Sequence, residues 1–118
     1  MNPHHKIMLS QQDSIIFVKH EEILYCQSDN CYTKVYLLNK TRLLIVNSLT
    51  KFHKELPSHF VRVNQSFIVN KFFVESIDKK KKTIQLEGNQ DIPFTITLKD
   101  LLGLLKGDSF EDKHLDAI

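Results

Sequence analysis

Phe60-Val61-Arg62-Val63-Asn64-Gln65-Ser66-Phe67-Ile68-Val69-Asn70-Lys71 is the stretch on which the fold of this chain turns. Apolar residues alternate with Arg, Asn, Gln and Ser. Period-two alternation predicts a half-buried strand, with one face for the core and one row of hydrogen-bonding groups. The stretch carries Arg62, Asn64, Gln65, Ser66, Asn70 and Lys71 without a carboxylate. Such a row suits a polyanion, because phosphate oxygens need donors and acidic neighbours would repel them.

Outward from this stretch the pattern stays mainly β. Residues 6–10 and 14–19 are short apolar runs split by Gln11-Gln12-Asp13, and predict a hairpin. His20-Glu21-Glu22 reads as a short turn of one helical turn at most, and 23–27 as the next strand. Ser28-Asp29-Asn30 is a turn cluster, since Asn and Asp tolerate left-handed backbone and bond locally. Residues 32–38 and 42–46 form a hairpin around Asn39-Lys40-Thr41. The period then changes: Leu49, Phe52, His53 and Leu56 fall at i, i+3, i+4 and i+7 of one helical face. Ser48 can cap that helix and Pro57 stops it.

Strand character returns at 60–63, 67–69, 73–78, 83–87 and 92–96, with Glu87-Gly88-Asn89-Gln90 as a turn. Lys79-Lys80-Lys81-Lys82, the densest charge in the chain, sits between two strand patterns. It reads as an exposed hairpin turn that blunts a sheet edge, with contact to a polyanion flanking the main contact segment as the alternative. Thr97 and Asp100 make a capping box, and Leu98, Leu101, Leu102 and Leu105 form a second helical stripe ending near Gly107. The sum is about ten short strands, one mid-chain helix and one C-terminal helix: a single mainly β domain over residues 6–107, a flexible start at 1–5 and a loose tail at 108–118.

Composition narrows the function classes. At 118 residues the chain is one domain, and no run of about 18 apolar residues could span a membrane. No signal-peptide core follows the start, and two cysteines make no disulfide framework, so a reducing cytoplasm is the expected compartment. Cys26 reads as a core residue. The net charge is only +2, but from Asn30 to Val74 there are seven Lys or Arg against the single acid Glu55. That asymmetry implies one basic face. The six histidines have no ligand spacing, and His53 belongs to an apolar stripe. With no nucleophile triad, no paired carboxylates and only three glycines for a phosphate loop, the sequence predicts no enzyme, no metal and no cofactor.

Four segments resemble the LytTR family of bacterial DNA-binding domains. The run from Arg62 to Asn70 resembles its R-[IV]-H-x-S-[FY]-[IL]-[VI]-N signature. Ile23 to Leu37 is similar to its early strand–loop–strand block, with an I-x-Y start, a loop Asn and then Y-T. Ser48-Leu49 with Leu56-Pro57 matches an S-L-x(6)-L-P helix, and Ile92-Pro93-Phe94-Thr95 resembles a late I-P-V-S piece. Together they cover roughly residues 7 to 105 in the family order. The resemblance implies an elongated stack of small antiparallel sheets. It also implies sequence-specific binding of double-stranded DNA at imperfect direct repeats, by two copies and with bending.

By the same resemblance three regions, 29–32, 47–51 and 62–71, reach successive grooves. The DNA-contacting residues would be Asn30, Cys31, Tyr32, Asn47, Ser48, Lys51, Arg62, Asn64, Gln65, Ser66, Asn70 and Lys71. Lys54 is a further phosphate partner. Each has a plain alternative: an Asx-turn at Asn30, a helix cap at Ser48, a solvated helix face at Lys51 and Lys54, a polar strand edge at Arg62–Ser66, a turn residue at Asn70. Asn64 and Gln65 stand where the family usually has His and a basic residue, which removes positive charge. Arg62→Ala and Lys71→Ala are expected to weaken DNA binding at unchanged thermal stability.

Family members commonly carry a phosphorylatable receiver domain in front. The immediate first strand fits the output domain of a two-component response regulator better than a stand-alone regulator. A receiver domain and RNA polymerase are the protein partners this implies. Two rivals remain at this stage: a protein-interaction β domain that does not bind DNA, and a small-ligand or enzymatic β domain built on an apolar pocket with convergent polar groups.

Overall fold

The computed structural model describes residues 6–106. The expected flexible start, the loose tail and Gly107 as the stop of the last helix lie outside the described residues. Ten strands and two helices follow in the order β1 (Lys6–Ser10), β2 (Ile15–Lys19), β3 (Ile23–Asp29), β4 (Tyr32–Leu37), β5 (Arg42–Ile45), α1 (Leu49–His53), β6 (Phe60–Arg62), β7 (Phe67–Asn70), β8 (Val74–Asp78), β9 (Thr83–Leu86), β10 (Gln90–Pro93) and α2 (Leu98–Lys106). Single 3-10 turns occupy His20–Glu22 and Lys71–Phe73. The strands form three antiparallel sheets: β1-β2, β5-β4-β3-β7-β6 and β10-β9-β8. The molecule measures 51 × 34 × 24 Å, the elongated form that the resemblance implies.

The five-stranded sheet is the spine, and two separate cores lie against it. One holds Ile7, Leu9, Val18, Cys26, Val35, Ile45, Leu49, Phe52, Phe60 and Ile68, so the β1–β2 hairpin and α1 cover one face. The other holds Tyr25, Val61, Val63, Val69, Ile84, Leu86, Ile92, Phe94 and Leu101, so the β8–β10 sheet and α2 cover the opposite face. Adjacent residues of one strand serve different cores, Ile68 the first and Val69 the second, as strand alternation requires. A sheet covered on both sides reads as a nearly continuous apolar run, which is what Ile23-Leu24-Tyr25-Cys26 and Ile68-Val69 are.

One irregularity sets the phase of β3. Ile23 pairs with Leu37 but Tyr25 pairs with Tyr36, so Leu24 is an extra residue opposite β4. This β-bulge puts Leu24 and Tyr25 in the same core, while Ile23 and Cys26 share the other. Without it, Cys26 and the outer half of β3 would present the wrong side chains to each core.

Elsewhere the sequence signals and the structure differ at element ends. α1 stops at His53, short of Pro57, because Lys54, Glu55 and Leu56 close i→i−3 bonds to Lys51, Phe52 and His53. Leu56 still packs on the core from that tightened turn. The last strand covers Gln90–Pro93, earlier than the expected 92–96. Gly88 (φ 86°) and Asn89 (φ 64°) close the β9–β10 turn early enough for Gln90 to pair with Leu86. Beyond Pro93 the backbone is spent otherwise: Phe94 N–H donates to Lys82 O and Thr95 N–H to Val63 O.

Candidate nucleic-acid interface

Register places most of the predicted contact residues at one end of the five-stranded sheet. Asp29 pairs with Tyr32, Thr33 with Ile45, Gln27 with Phe67 and Arg62 with Ile68. The β3–β4 turn, the segment leaving β5 and the β6–β7 turn therefore emerge side by side. Three hydrogen bonds lock them together. Ser28 N–H donates to Ser66 O at 2.8 Å, the Thr33 hydroxyl donates to Asn47 O at 2.8 Å, and Arg62 Nη1 donates to Thr50 Oγ1 at 2.8 Å. Thr33 is fully buried, so that hydroxyl would be costly to leave without its partner.

The β6–β7 turn is built by two of its own side chains. Asn64 Oδ1 accepts from the N–H groups of Ser66 (2.6 Å) and Phe67 (2.9 Å), and its Nδ2 donates to Pro93 O at 2.6 Å. Arg62 wraps the same turn: Nε donates to Asn64 O at 3.2 Å and Nη2 to Gln65 O at 2.7 Å. With the bond to Thr50, three of the five guanidinium N–H donors are engaged internally. These bonds bear on the expectation that Arg62→Ala leaves thermal stability unchanged: removing Arg62 takes away three ties of the turn as well as a charge. Asn64 likewise holds the turn, and it is Gln65, exposed at its tip, and half-buried Ser66 that face outward.

Asn30, Cys31 and Tyr32 are exposed at the tip of the β3–β4 hairpin. Asn30 takes a left-handed backbone (φ 57°), which Asn tolerates better than most residues. Ser48 caps α1, its Oγ accepting from Lys51 N–H at 3.3 Å, and Asn47 lends its carbonyl to Thr33. Lys51 and Lys54 are exposed. α1 is only five residues long, so its side chains matter more here than its dipole. Thr50 was not legible as a site residue; its only signal is a hydroxyl in the first turn of that helix, next to the capping Ser48.

Asn70 and Lys71 stand apart. β7 runs away from this end, so the region 62–71 is not one loop; Lys71 follows the far end of a four-residue strand, roughly 13 Å along. Asn70 follows its alternative reading, a turn residue, rather than DNA contact. Its side chain is fully buried: Nδ2 donates to Ile23 O at 2.9 Å, and Oδ1 accepts from Phe72 N–H at 3.1 Å to cap the 3-10 turn. It shapes the backbone that presents Lys71 and has no surface to offer DNA. Lys71 is half-buried, with Nζ 5.9 Å from the centre of the Phe72 ring.

A family model described as the LytTr DNA-binding domain matches residues 13–102. The chain belongs to the LytTr DNA-binding domain family. Its fold is that of the LytTr DNA-binding domain solved from Bacillus cereus, with a TM-score of 0.69 over 87% of this chain and 97% of that one, at 22% identity. It is also similar to the sensory transduction protein LytT of Bacillus subtilis (strain 168), 31% identical over 74 residues. That match takes in 62% of this chain but only 30% of the relative, so this LytTr domain spans under a third of that protein's length.

Other chemistry has less to stand on. Among the described residues no three His, Cys, Asp or Glu side chains are grouped to hold a metal ion, and no helix is long and apolar enough to cross a membrane. One open groove of about 600 Å³ lies over the stacked rings of Tyr25 and Tyr36 (4.3 Å between centroids), bounded by Leu24, Leu37, Lys40 and Glu87. It had no sequence signature, because it arises between two sheets far apart in the chain.

Proposed function

We propose that this LytTr domain reads double-stranded DNA sequence-specifically as the output module of a transcription regulator in the cytoplasm. The observation that carries the proposal is the cluster at one end of the central sheet. The turns at 30–32, 47–51 and 62–66 are tied to one another by backbone and side-chain hydrogen bonds, in the region where the sequence is basic and almost free of acids. Held rigidly, they can present Asn30, Cys31, Tyr32, Lys51, Gln65, Ser66 and the two remaining N–H groups of Arg62 to one groove. In this reading Lys71, a strand length away, meets the adjacent groove; successive grooves on one side of a duplex are about half of the 34–36 Å helical turn apart. Lys and Arg then position the protein on phosphates, while the hairpin tip and Gln65 meet base edges.

Imperfect direct repeats bound by two copies, a receiver domain on the full-length protein and a productive contact with RNA polymerase complete the reading. Selection of bound sequences from random duplex DNA tests it. Enrichment of a spaced pair of similar half-sites supports it; a pool without enrichment leaves only charge attraction and favours a protein-interaction role.

A further inference from the structure

Lys79-Lys80-Lys81-Lys82 forms the β8–β9 turn, and all four side chains are exposed. Their one acidic neighbour in sequence, Asp78, turns its carboxylate inward to the turn: Oδ1 accepts from the N–H groups of Lys80 (3.0 Å) and Lys81 (2.9 Å). The turn is therefore an ordered projection of four cations. Its position is fixed by two links to the candidate interface. Lys82 O accepts from Phe94 N–H at 3.1 Å, and one residue earlier Pro93 O accepts from Asn64 Nδ2 at 2.6 Å. Thr95 N–H donates to Val63 O at 3.0 Å beside it. The lysine turn and the β6–β7 turn thus share the Pro93–Thr95 segment and lie on the same end of the molecule, although 15 residues separate Asn64 from Lys79.

An exposed β-turn does not need four consecutive lysines for solubility, and packing them costs mutual repulsion that a polyanion relieves. We infer that the Lys79–Lys82 turn is an additional phosphate-binding element, gripping the duplex backbone beside the segment read by the β6–β7 turn without regard to sequence. The inference rests on the DNA-binding reading above. Lysine suits the role, since an ammonium on a flexible stem binds phosphate as a point charge and reads no base.

The test compares two duplexes carrying the selected site, one trimmed to the half-sites and one extended by about one helical turn, roughly 10 base pairs, at each end. Each is titrated across salt concentrations with the native chain, with K79Q/K80Q/K81Q, and with K79R/K80R/K81R. Lys82 is left in place because its backbone is left-handed (φ 57°) and its carbonyl holds Phe94. The native chain and the arginine variant should bind the extended duplex more tightly and with a steeper salt dependence, by roughly 0.9 in log–log slope for each phosphate gained. The glutamine variant should show no such gain while matching the native chain on the trimmed site. A glutamine variant that keeps the gain, or a native chain that shows none, overturns the inference and leaves the site reading intact. A native chain that fails to prefer the selected site over scrambled DNA overturns the parent reading, and this one with it.

Discussion

The guanidinium of Arg62 meets the hydroxyl of Thr50 at 2.8 Å, joining the β6–β7 turn to the first turn of α1 across the end of the central sheet. Two elements that each fold locally are thereby held at one spacing, as a rigid groove reader requires. Arg62→Ala should weaken DNA binding by about 1–3 kcal/mol and also lower stability by about 1–2 kcal/mol, since three hydrogen bonds are lost. Thr50→Val removes the acceptor and leaves Arg62 charged. It should cost affinity through misplacement, with thermal stability reduced less than in Arg62→Ala. Isothermal titration and thermal melts on both variants check this; equal affinity for Thr50→Val and the native chain would refute the bracing role.

Asn64 offers a cleaner structural test. Its side chain satisfies two N–H groups and one carbonyl, and joins the five-stranded sheet to the end of β10. Asn64→Ala should destabilise the domain by about 2–3 kcal/mol, visible as a lowered denaturant midpoint. Asn64→His, the residue more usual in the resembling signature, should recover part of any lost DNA affinity but little of the stability, because an imidazole cannot make all three bonds.

The two cysteines should separate sharply. Cys31 is exposed at the hairpin tip, whereas Cys26 is fully buried in the core under β1–β2 and α1, and burial pushes its thiol well above the usual range. Iodoacetamide near neutral pH should modify Cys31 alone, as read by mass spectrometry, with Cys26 reacting only after denaturation. Modification of Cys31 should reduce DNA binding at least tenfold if that tip enters a groove. Undiminished binding by the modified protein would remove the 30–32 tip from the interface.

Alkaline pH should weaken the fold. Burial, with Tyr36 close by, raises the Tyr25 hydroxyl from its ordinary value of 10.0 to about 12, and Cys26 is raised in the same direction. Both groups are neutral when protonated, so a raised folded value means that the unfolded chain loses its protons first. The stabilisation is complete below the unfolded values and is lost as pH rises through about 9–12. Melting temperature should fall steadily over that range. Cys26→Ala should have a lower melting temperature at neutral pH and a shallower decline.

The ten strands, the hairpin turns and both helices were legible because each is written in local alternation or helical spacing. Ile84 and Leu86, alternating with Thr83, Gln85 and Glu87, mark a half-buried strand in the sequence itself, whereas the 60–71 stretch also reads as half-buried and only the fold shows Ile68 and Val69 serving two cores on opposite faces. What sequence could not show were relations across the fold. The Leu24 bulge is invisible because no spacing rule marks an extra residue in a continuous apolar run. Asn70 could be read as a contact or as a turn residue, and the sequence could not decide between them because its partner Ile23 O lies 47 positions away. Lys71 looked contiguous with Arg62 because the strand between them is short in sequence yet spans the sheet from end to end.

The most direct measurement is an amide NMR titration of the domain with its selected duplex at near-physiological salt. Shift changes concentrated at 30–32, 47–51, 62–66 and around Lys71 would bear out the end of the five-stranded sheet, with Lys71 a strand length away, as the DNA-reading surface. Changes centred on the Tyr25–Tyr36 groove or the outer face of the β1–β2 hairpin, with those segments unmoved, would contradict it.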